Sequence, residues 1–403
     1  MKNNVLKIVA LGGLMFAATA SLAACNGNGM KVGLICLHPA ASSTYDKNFV
    51  EAFKASAKKL GFKAIIRENI PEGQECLEVA ENMAETGCKV VFADSFGHEP
   101  YMIEAAKKFP KVQFCHATGT KAATEKLPNY HNAFASIYEG RYLAGVVAGM
   151  KLQEMKAANA NLGSKIGYVA AHPYAEVISG YTSFYLGVKS IVSDVTMDVK
   201  YTDSWYDETA EKTAANALID SDCVLISQHA DSYGAPSACE KAGVPNVSYN
   251  GSTASKCPNT FLVSSKINWS PFYEFVVNAV NKVESPELAE IPYDWCGGFA
   301  EGSVQLTDLG KNVAAGTQAK LDEVKAKLQN GSLKVFDTSK FTVGGAAPSE
   351  ANMAPSKLYT FDYPDGMEFV KDGYYHESEY RSAPSFDVLI DGITDVGHVE
   401  PAE

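Results

Sequence analysis

Met30-Lys31-Val32-Gly33-Leu34-Ile35-Cys36-Leu37-His38 is apolar on both of its alternating faces. A strand with one wet face alternates apolar and polar residues. This run does not, so it reads as a strand buried on both sides, as in a parallel sheet covered by helices. Downstream, Phe49, Ala52, Phe53, Ser56, Ala57 and Leu60 share one helical face, and Gly61 ends the pattern. The cycle then repeats. Strands are predicted over 62–66, 89–93 and 112–116, and helices over 72–86 and 99–109, stopped by Gly87 and Pro110. A longer helix over 138–155 opens a second set. Its strands fall at 165–169, 195–201, 223–226 and 246–249, with helices over 174–191, 207–219 and 232–242.

Two successive runs of strand–helix units predict an α/β chain of two doubly wound parallel-sheet lobes joined by a hinge. The first run is short of strands, so a strand over 261–265 and a helix over 270–283 are expected to return to it. The expected division is 25–137 and 261–295 for the first lobe, and 138–260 and 296–335 for the second. A helix is predicted over 317–329. Beyond it the pattern is strand-like but broken by Gly344, Gly345, Pro348, Pro355, Pro364 and Pro384, which suggests an extension, 336–403, wrapped on the body.

With 403 residues, 46% hydrophobic, the chain is long enough for two domains and too apolar for disorder. Its formal charge of −12 gives it no general attraction for phosphate backbones, so nucleic acid is excluded as an expected partner. The first 24 residues read as an export signal: Lys2 and Lys7, then an apolar stretch, then Leu22-Ala23-Ala24-Cys25. A cysteine after Leu-Ala-Ala resembles the bacterial lipobox, in which the thiol is lipidated and becomes the new N-terminus. Asn26-Gly27-Asn28-Gly29 then serves as a tether. No later apolar run approaches the ~20 residues that span a bilayer. The expected location is therefore the extracytoplasmic face of the cell membrane, held by lipid at Cys25.

Eight further cysteines remain: Cys36, Cys76, Cys88, Cys115, Cys223, Cys239, Cys257 and Cys296. None forms a CxxC or a Cys/His cluster with zinc spacing, so no metal site is expected. Most are expected to be free, buried thiols; Cys239–Cys257 is the pair worth checking for a disulfide.

Ligands of open α/β sheets bind beyond the carboxyl ends of the strands. Those ends carry Tyr45, Asp46 and Asn48; Asp94 and Phe96; Tyr174; Trp205 and Asp207; His229 and Asp231; and Asn250. Aromatics with carboxylate and amide partners suit a planar, polar, neutral ring. Stacking supplies area, and a carboxylate accepts from an exocyclic amine or a ribose hydroxyl. No basic cluster gathers there, which disfavours a phosphorylated ligand. Asp46, Asp207 and Asp231 each stand near the start of a helical pattern and serve equally well as N-caps. No GxSxG, GxxxxGK[ST], HExxH or strand-linked GxGxxG occurs, so no enzyme is expected, and no cofactor.

One segment carries a more specific signal. Asn132-Ala133-Phe134-Ala135-Ser136, followed by Tyr138-Glu139-Gly140-Arg141-Tyr142-Leu143-Ala144-Gly145-Val146-Val147-Ala148-Gly149, resembles the signature of the basic membrane protein family. Those proteins are lipoprotein substrate-binding components of ABC importers, of the purine nucleoside receptor type. Lys165-Ile166-Gly167-Tyr168-Val169, Gly187, Ser204-Trp205-Tyr206-Asp207 and Gln228-His229-Ala230-Asp231-Ser232 extend the resemblance over about 25–310. The first loop, His38 to Asn48, departs from the family's usual Asp-x-Gly stretch and leaves base against nucleoside open. The resemblance implies a type I periplasmic-binding-protein fold. It implies a monomer that closes on a purine nucleoside or base and presents it to ABC permease subunits. A sensory lipoprotein reporting to a signalling partner is the alternative.

Overall fold

The computed structural model describes residues 29–353 and 367–400. The signal segment, Cys25 and its lipobox lie outside them. The first lobe begins with β1 (Lys31–Ile35), β2 (Lys63–Arg67), β3 (Cys88–Ala93), β4 (Gln113–Ala117) and β5 (Tyr130–Ala135). Helices α1 (Thr44–Leu60), α2 (Gln74–Glu85), α3 (Glu99–Lys108) and the short α4 (Ala122–Glu125) connect them. The second lobe holds β6 (Lys165–Ala170), β7 (Thr196–Tyr201), β8 (Ile226–His229), β9 (Asn246–Tyr249) and β10 (Phe261–Ile267). Its helices are α5 (Ile137–Ala158), α6 (Ala175–Lys189), α7 (Glu208–Asp220) and α8 (Gly234–Ala242). The chain then adds α9 (Ser270–Asn281), β11 (Asp294–Gly297), β12 (Val304–Leu306) and α10 (Thr317–Gln329).

The sheet orders are β11-β5-β4-β3-β1-β2 and β12-β10-β9-β8-β6-β7, the second continued by one late strand. All pairs are parallel except β10–β12. The predicted two-lobe α/β architecture therefore holds, with three corrections. The strand over 261–265 does not return to the first lobe: β10 pairs with β9 in the second sheet. Only α9 returns, burying Phe272, Tyr273 and Val276 against Val32, Leu34 and Phe53. The first sheet is completed by β5 and β11, neither predicted as a strand, so Cys296 and Gly297 belong to it rather than to the second lobe. Finally, α1 starts at Thr44, five residues before its apolar stripe, because Ser43 caps it by accepting from the Asp46 N–H.

The extension packs on the second lobe. After β13 (Val370–Lys371) and β14 (Tyr374–Tyr375), β15 (Ile393–His398) becomes the seventh strand of that sheet, parallel to β7. Phe336, Phe341, Phe369, Tyr375, Phe386 and Ile390 join the core formed by α5, α6 and α10. Cys36, Cys76, Cys88, Cys115, Cys223, Cys239 and Cys257 are buried and Cys296 is exposed; all eight are unbonded, including the Cys239–Cys257 pair. No helix of the described residues is long and apolar enough to cross a membrane.

The signature helix α5 meets α6 with almost no side chain between them. A Cβ on Gly145 would stand 2.1 Å from the Phe184 carbonyl oxygen, and one on Gly187 would stand 2.2 Å from that of Tyr142. Backbone cannot yield as a flexible side chain can. Gly145→Ala should therefore destabilise the fold by about 1–3 kcal/mol, the usual cost of overpacking, read as a lowered urea midpoint. A second expectation concerns Glu211 on α7. Its carboxylate accepts from the Ser232 N–H at 3.1 Å, while Oε2 is buried without a hydrogen-bond partner. Burial raises this group to about 8. A raised folded-state value means that its stability contribution is present below about 4.5 and is lost as pH rises towards 8. Glu211→Gln keeps the acceptor and fills the other position with an amide. Its stability should be flatter than the parent's between pH 5 and 8, and higher at pH 8, in urea titrations.

Candidate ligand-binding cleft

The carboxyl ends of both sheets face each other across a narrow, shut cleft whose cavity volume is about 20 Å³, so that a ligand enters only when the lobes part. The first lobe contributes Leu37, His38, Tyr45 and Asp46 from the β1–α1 connection, Ser95 and Phe96 after β3, and Thr118 after β4. The second contributes Glu176 from the first turn of α6, Trp205 after β7, His229 and Asp231 at the end of β8, and Tyr249 and Asn250 at the end of β9. Lysine and arginine are absent from this lining.

The lobes are in contact, so the cleft is closed. The Thr44 N–H and hydroxyl at the start of α1 both donate to the Asp231 carbonyl, at 3.0 and 3.2 Å. At the rim, His38 meets Tyr206 with ring centroids 5.2 Å apart, and Phe96 meets Tyr174 at 5.9 Å.

Asp46 is not an N-cap. It lies inside the first turn of α1, where Oδ1 accepts from the His38 N–H at 2.8 Å and Oδ2 from the Ser43 hydroxyl at 2.5 Å. These bonds fold the first loop back onto the helix. Behind it, Asp94 accepts from the Leu37 N–H at 3.1 Å. Burial, then the neighbouring Asp46 carboxylate, push the Asp94 carboxyl well above the ordinary range. The two carboxyl groups crowd each other beneath the first loop, and Asp94 Oδ2 is buried without a hydrogen-bond partner among the described residues. Cys36, Asp46 and Asp94 have ligand atoms within 4.8 Å of one another, a spacing that would admit a cation. Burial, then the neighbouring Asp94 and Asp46 carboxyl groups, raise the Cys36 thiol as well.

In the second lobe, Trp205 is wedged edge-on against His172 at 4.9 Å and Tyr174 at 5.9 Å, with its carbonyl accepting from the Asp231 N–H. Asp231 Oδ1 accepts from the Asn250 amide at 3.2 Å. Burial, reinforced by Asp46 and Glu211, pushes its carboxyl up, so it accepts or donates according to the atom that faces it. His229 is buried, lies 3.5 Å from Glu176, and packs against Tyr249 at 4.2 Å. Burial lowers its basicity and keeps it neutral. Both His229 ring nitrogens, the Tyr249 hydroxyl and the Thr118 hydroxyl are buried without a hydrogen-bond partner among the described residues. Thr118 and Asn250 also hold left-handed backbone, at φ 64° each, a strain that clusters where structure serves binding.

Of the residues predicted for the site, Tyr45, Asp46, Phe96, Trp205, His229, Asp231 and Asn250 line one cleft, and Tyr174 stands at its rim. Three do not line it. Asn48 is buried one turn further along α1, and Asp94 sits behind Asp46. Asp207 is exposed and caps α7, accepting from the Thr209 and Ala210 N–H groups at 3.0 and 2.9 Å. Asp231, by contrast, caps nothing: α8 begins only at Gly234. Glu176 was missed by sequence reasoning. Its place in the first turn after a strand end was the available signal, but an acidic first turn also complements the helix dipole.

Comparison with known proteins agrees with this geometry. Residues 30–339 match the Bmp family, described as ABC transporter substrate-binding protein PnrA-like. A purine-binding protein of Brucella abortus (strain 2308) is 30% identical over 346 residues, 84% of this chain and 94% of that one. A putative ABC transporter glucose-binding protein of Haloferax volcanii is 31% identical over 263 residues, 65% of this chain and 63% of that one. Among solved structures, an ABC transporter solute-binding protein from Conexibacter woesei superposes with a TM-score of 0.60 at 19% identity, covering 76% of this chain and 98% of that one. The neighbours share the periplasmic solute-binding fold of type I. The chain belongs to the Bmp family of ABC transporter substrate-binding proteins: it is a binding component of a transporter and not an enzyme.

Proposed function

We propose that this substrate-binding protein captures a purine nucleoside or purine base in the interlobe cleft and is held at the extracytoplasmic face of the membrane by lipid on Cys25. The observation that carries the ligand class is the lining: aromatic walls, three carboxyl groups, a neutral histidine, and no cation. Trp205 and Phe96 offer faces and edges to a flat heterocycle. Asp46, Glu176 and Asp231 receive amine or hydroxyl hydrogens, and a phosphate would meet only repulsion. Closure expels water, and the closed outline is what the permease subunits would recognise. The purine-binding relative, aligned along 84% of this chain, supports the same class. Carboxylates beside aromatics also bind sugars, and the glucose-named relative makes a sugar the competing reading.

A thermal-shift panel separates the two. Adenosine, inosine, guanosine, adenine and hypoxanthine include compounds that should raise the melting temperature; saturation a hundredfold above Kd adds about 2.7 kcal/mol. Glucose, ribose and amino acids should leave it unchanged, and a shift with glucose alone would overturn the purine reading. Trp205→Ala and Asp231→Ala should each weaken purine binding tenfold or more, about 1.4 kcal/mol, in calorimetric titration. The ligand-free melting temperature should stay near the parent's for Asp231→Ala and fall for Trp205→Ala, whose ring also packs on the second-lobe core, with unfolding still cooperative. For the anchor, Cys25→Ala should release the protein from the membrane fraction; retention of an unprocessed chain would show that the lipobox reading is wrong.

A further inference from the structure

We propose that the segment 376–386 of the C-terminal extension is a bracket across the hinge that favours the closed cleft. It lies beyond the residues that match the family, which end at 339. One end is bolted to the second lobe. Phe386 stacks on Phe336 at 4.5 Å inside the core that also contains α5 and α6. The buried Glu377 carboxylate accepts from the Ser385 N–H and hydroxyl and from the Phe386 N–H, at 3.1, 2.9 and 2.9 Å, and the Glu377 carbonyl accepts from the Tyr138 hydroxyl on α5 at 3.5 Å. These bonds make 377–386 a closed loop that moves with the second lobe.

Its tip reaches the first lobe. Asp294 opens β11, which pairs in register with Asn132 of β5 in the first sheet. The Asp294 carboxylate accepts from the Ser382 N–H at 2.6 Å with one oxygen and from the Ser382 hydroxyl with the other, and the neighbouring Arg381 adds a favourable charge. The strand carrying the acceptor belongs to one lobe and the loop carrying the donors is bolted to the other. Hinge rotation would pull them apart. The bonds coexist here with the Thr44–Asp231 contact and the two rim pairs, which exist only when the lobes meet. Interactions made in one state alone shift the population towards it. Asp294 and Ser382 are positioning residues. They touch no cleft atom and act by lowering the free energy of closure.

The inference rests on two-lobe closure and not on which solute is bound, so the test uses a readout that needs no ligand. The mature full-length chain and its Asp294→Ala variant would be compared by small-angle X-ray scattering without ligand, and then with saturating adenosine. The variant should show a larger ligand-free radius of gyration. Its adenosine affinity should fall about three- to tenfold, with melting still cooperative. Ser382→Ala, which removes the hydroxyl alone and leaves β11 intact, should shift both quantities in the same direction by less. It keeps the comparison decisive if Asp294→Ala folds poorly. If Ser382→Ala and a folded Asp294→Ala match the parent in scattering and affinity, the bracket is only a surface tie. If adenosine binds neither parent nor variant but the ligand-free variant expands, the bracket stands whichever solute the cleft takes.

Discussion

A single buried cation organises the second lobe. Arg141, in the first turns of α5, is fully inaccessible to solvent, yet each of its hydrogen-bond partners is neutral. Its guanidinium donates to the Tyr168 hydroxyl at 2.6 Å, the Ser227 and Ser265 hydroxyls, and the Gln228 and Ser248 carbonyls. It also stands 5.1–5.3 Å from the ring centres of Tyr249, Tyr168 and Phe184. Removing a charge from water is costly, and only a dense shell of dipoles and aromatic faces offsets that cost. The shell is drawn from β6, β8, β9 and β10, so the arginine sets the spacing of four strands at once. Two of them end in His229, Asp231, Tyr249 and Asn250.

The cleft has the opposite character. Carboxyl groups from both lobes converge where water is scarce, and burial pushes Asp94 and Asp231 towards their protonated forms. Such a lining is poorly satisfied alone. A flat ligand rich in N–H and O–H groups would satisfy the unpartnered His229, Tyr249 and Thr118 atoms while relieving the carboxylate crowding. Binding and closure would then be one event, because the acceptors stand on both lobes.

The helix that carries Arg141 also explains why its small residues are spaced as they are. Gly145 and Gly149 follow at one-turn intervals. They let α6 approach until its backbone touches that of α5, and α6 in turn presents Glu176 to the cleft. The signature helix is therefore a packing device that serves the site from behind and does not line the cleft.

The local pattern of the sequence was enough to determine the alternation of strands and helices and the two-lobe α/β class, because continuous apolar runs, helical stripes and glycine stops are short-range physics. Strand-end loops named seven cleft-lining residues for the same reason: in a doubly wound sheet, chain direction alone puts those loops at the ligand. Pairing partners were decided only in three dimensions. Tyr130–Ala135 and Asp294–Gly297 complete the first sheet, and β10 joins the second, because edge positions are filled by whichever segment the hinge crossings bring alongside. Tertiary structure also sorted the acids. Asp207 turned out to cap a helix, Asp94 to hold the Leu37 N–H behind the cleft, and Glu176 to enter the cleft. A carboxylate near a helix start looks the same in sequence in each case, and only the groups that surround it in space decide whether it caps, pairs or binds.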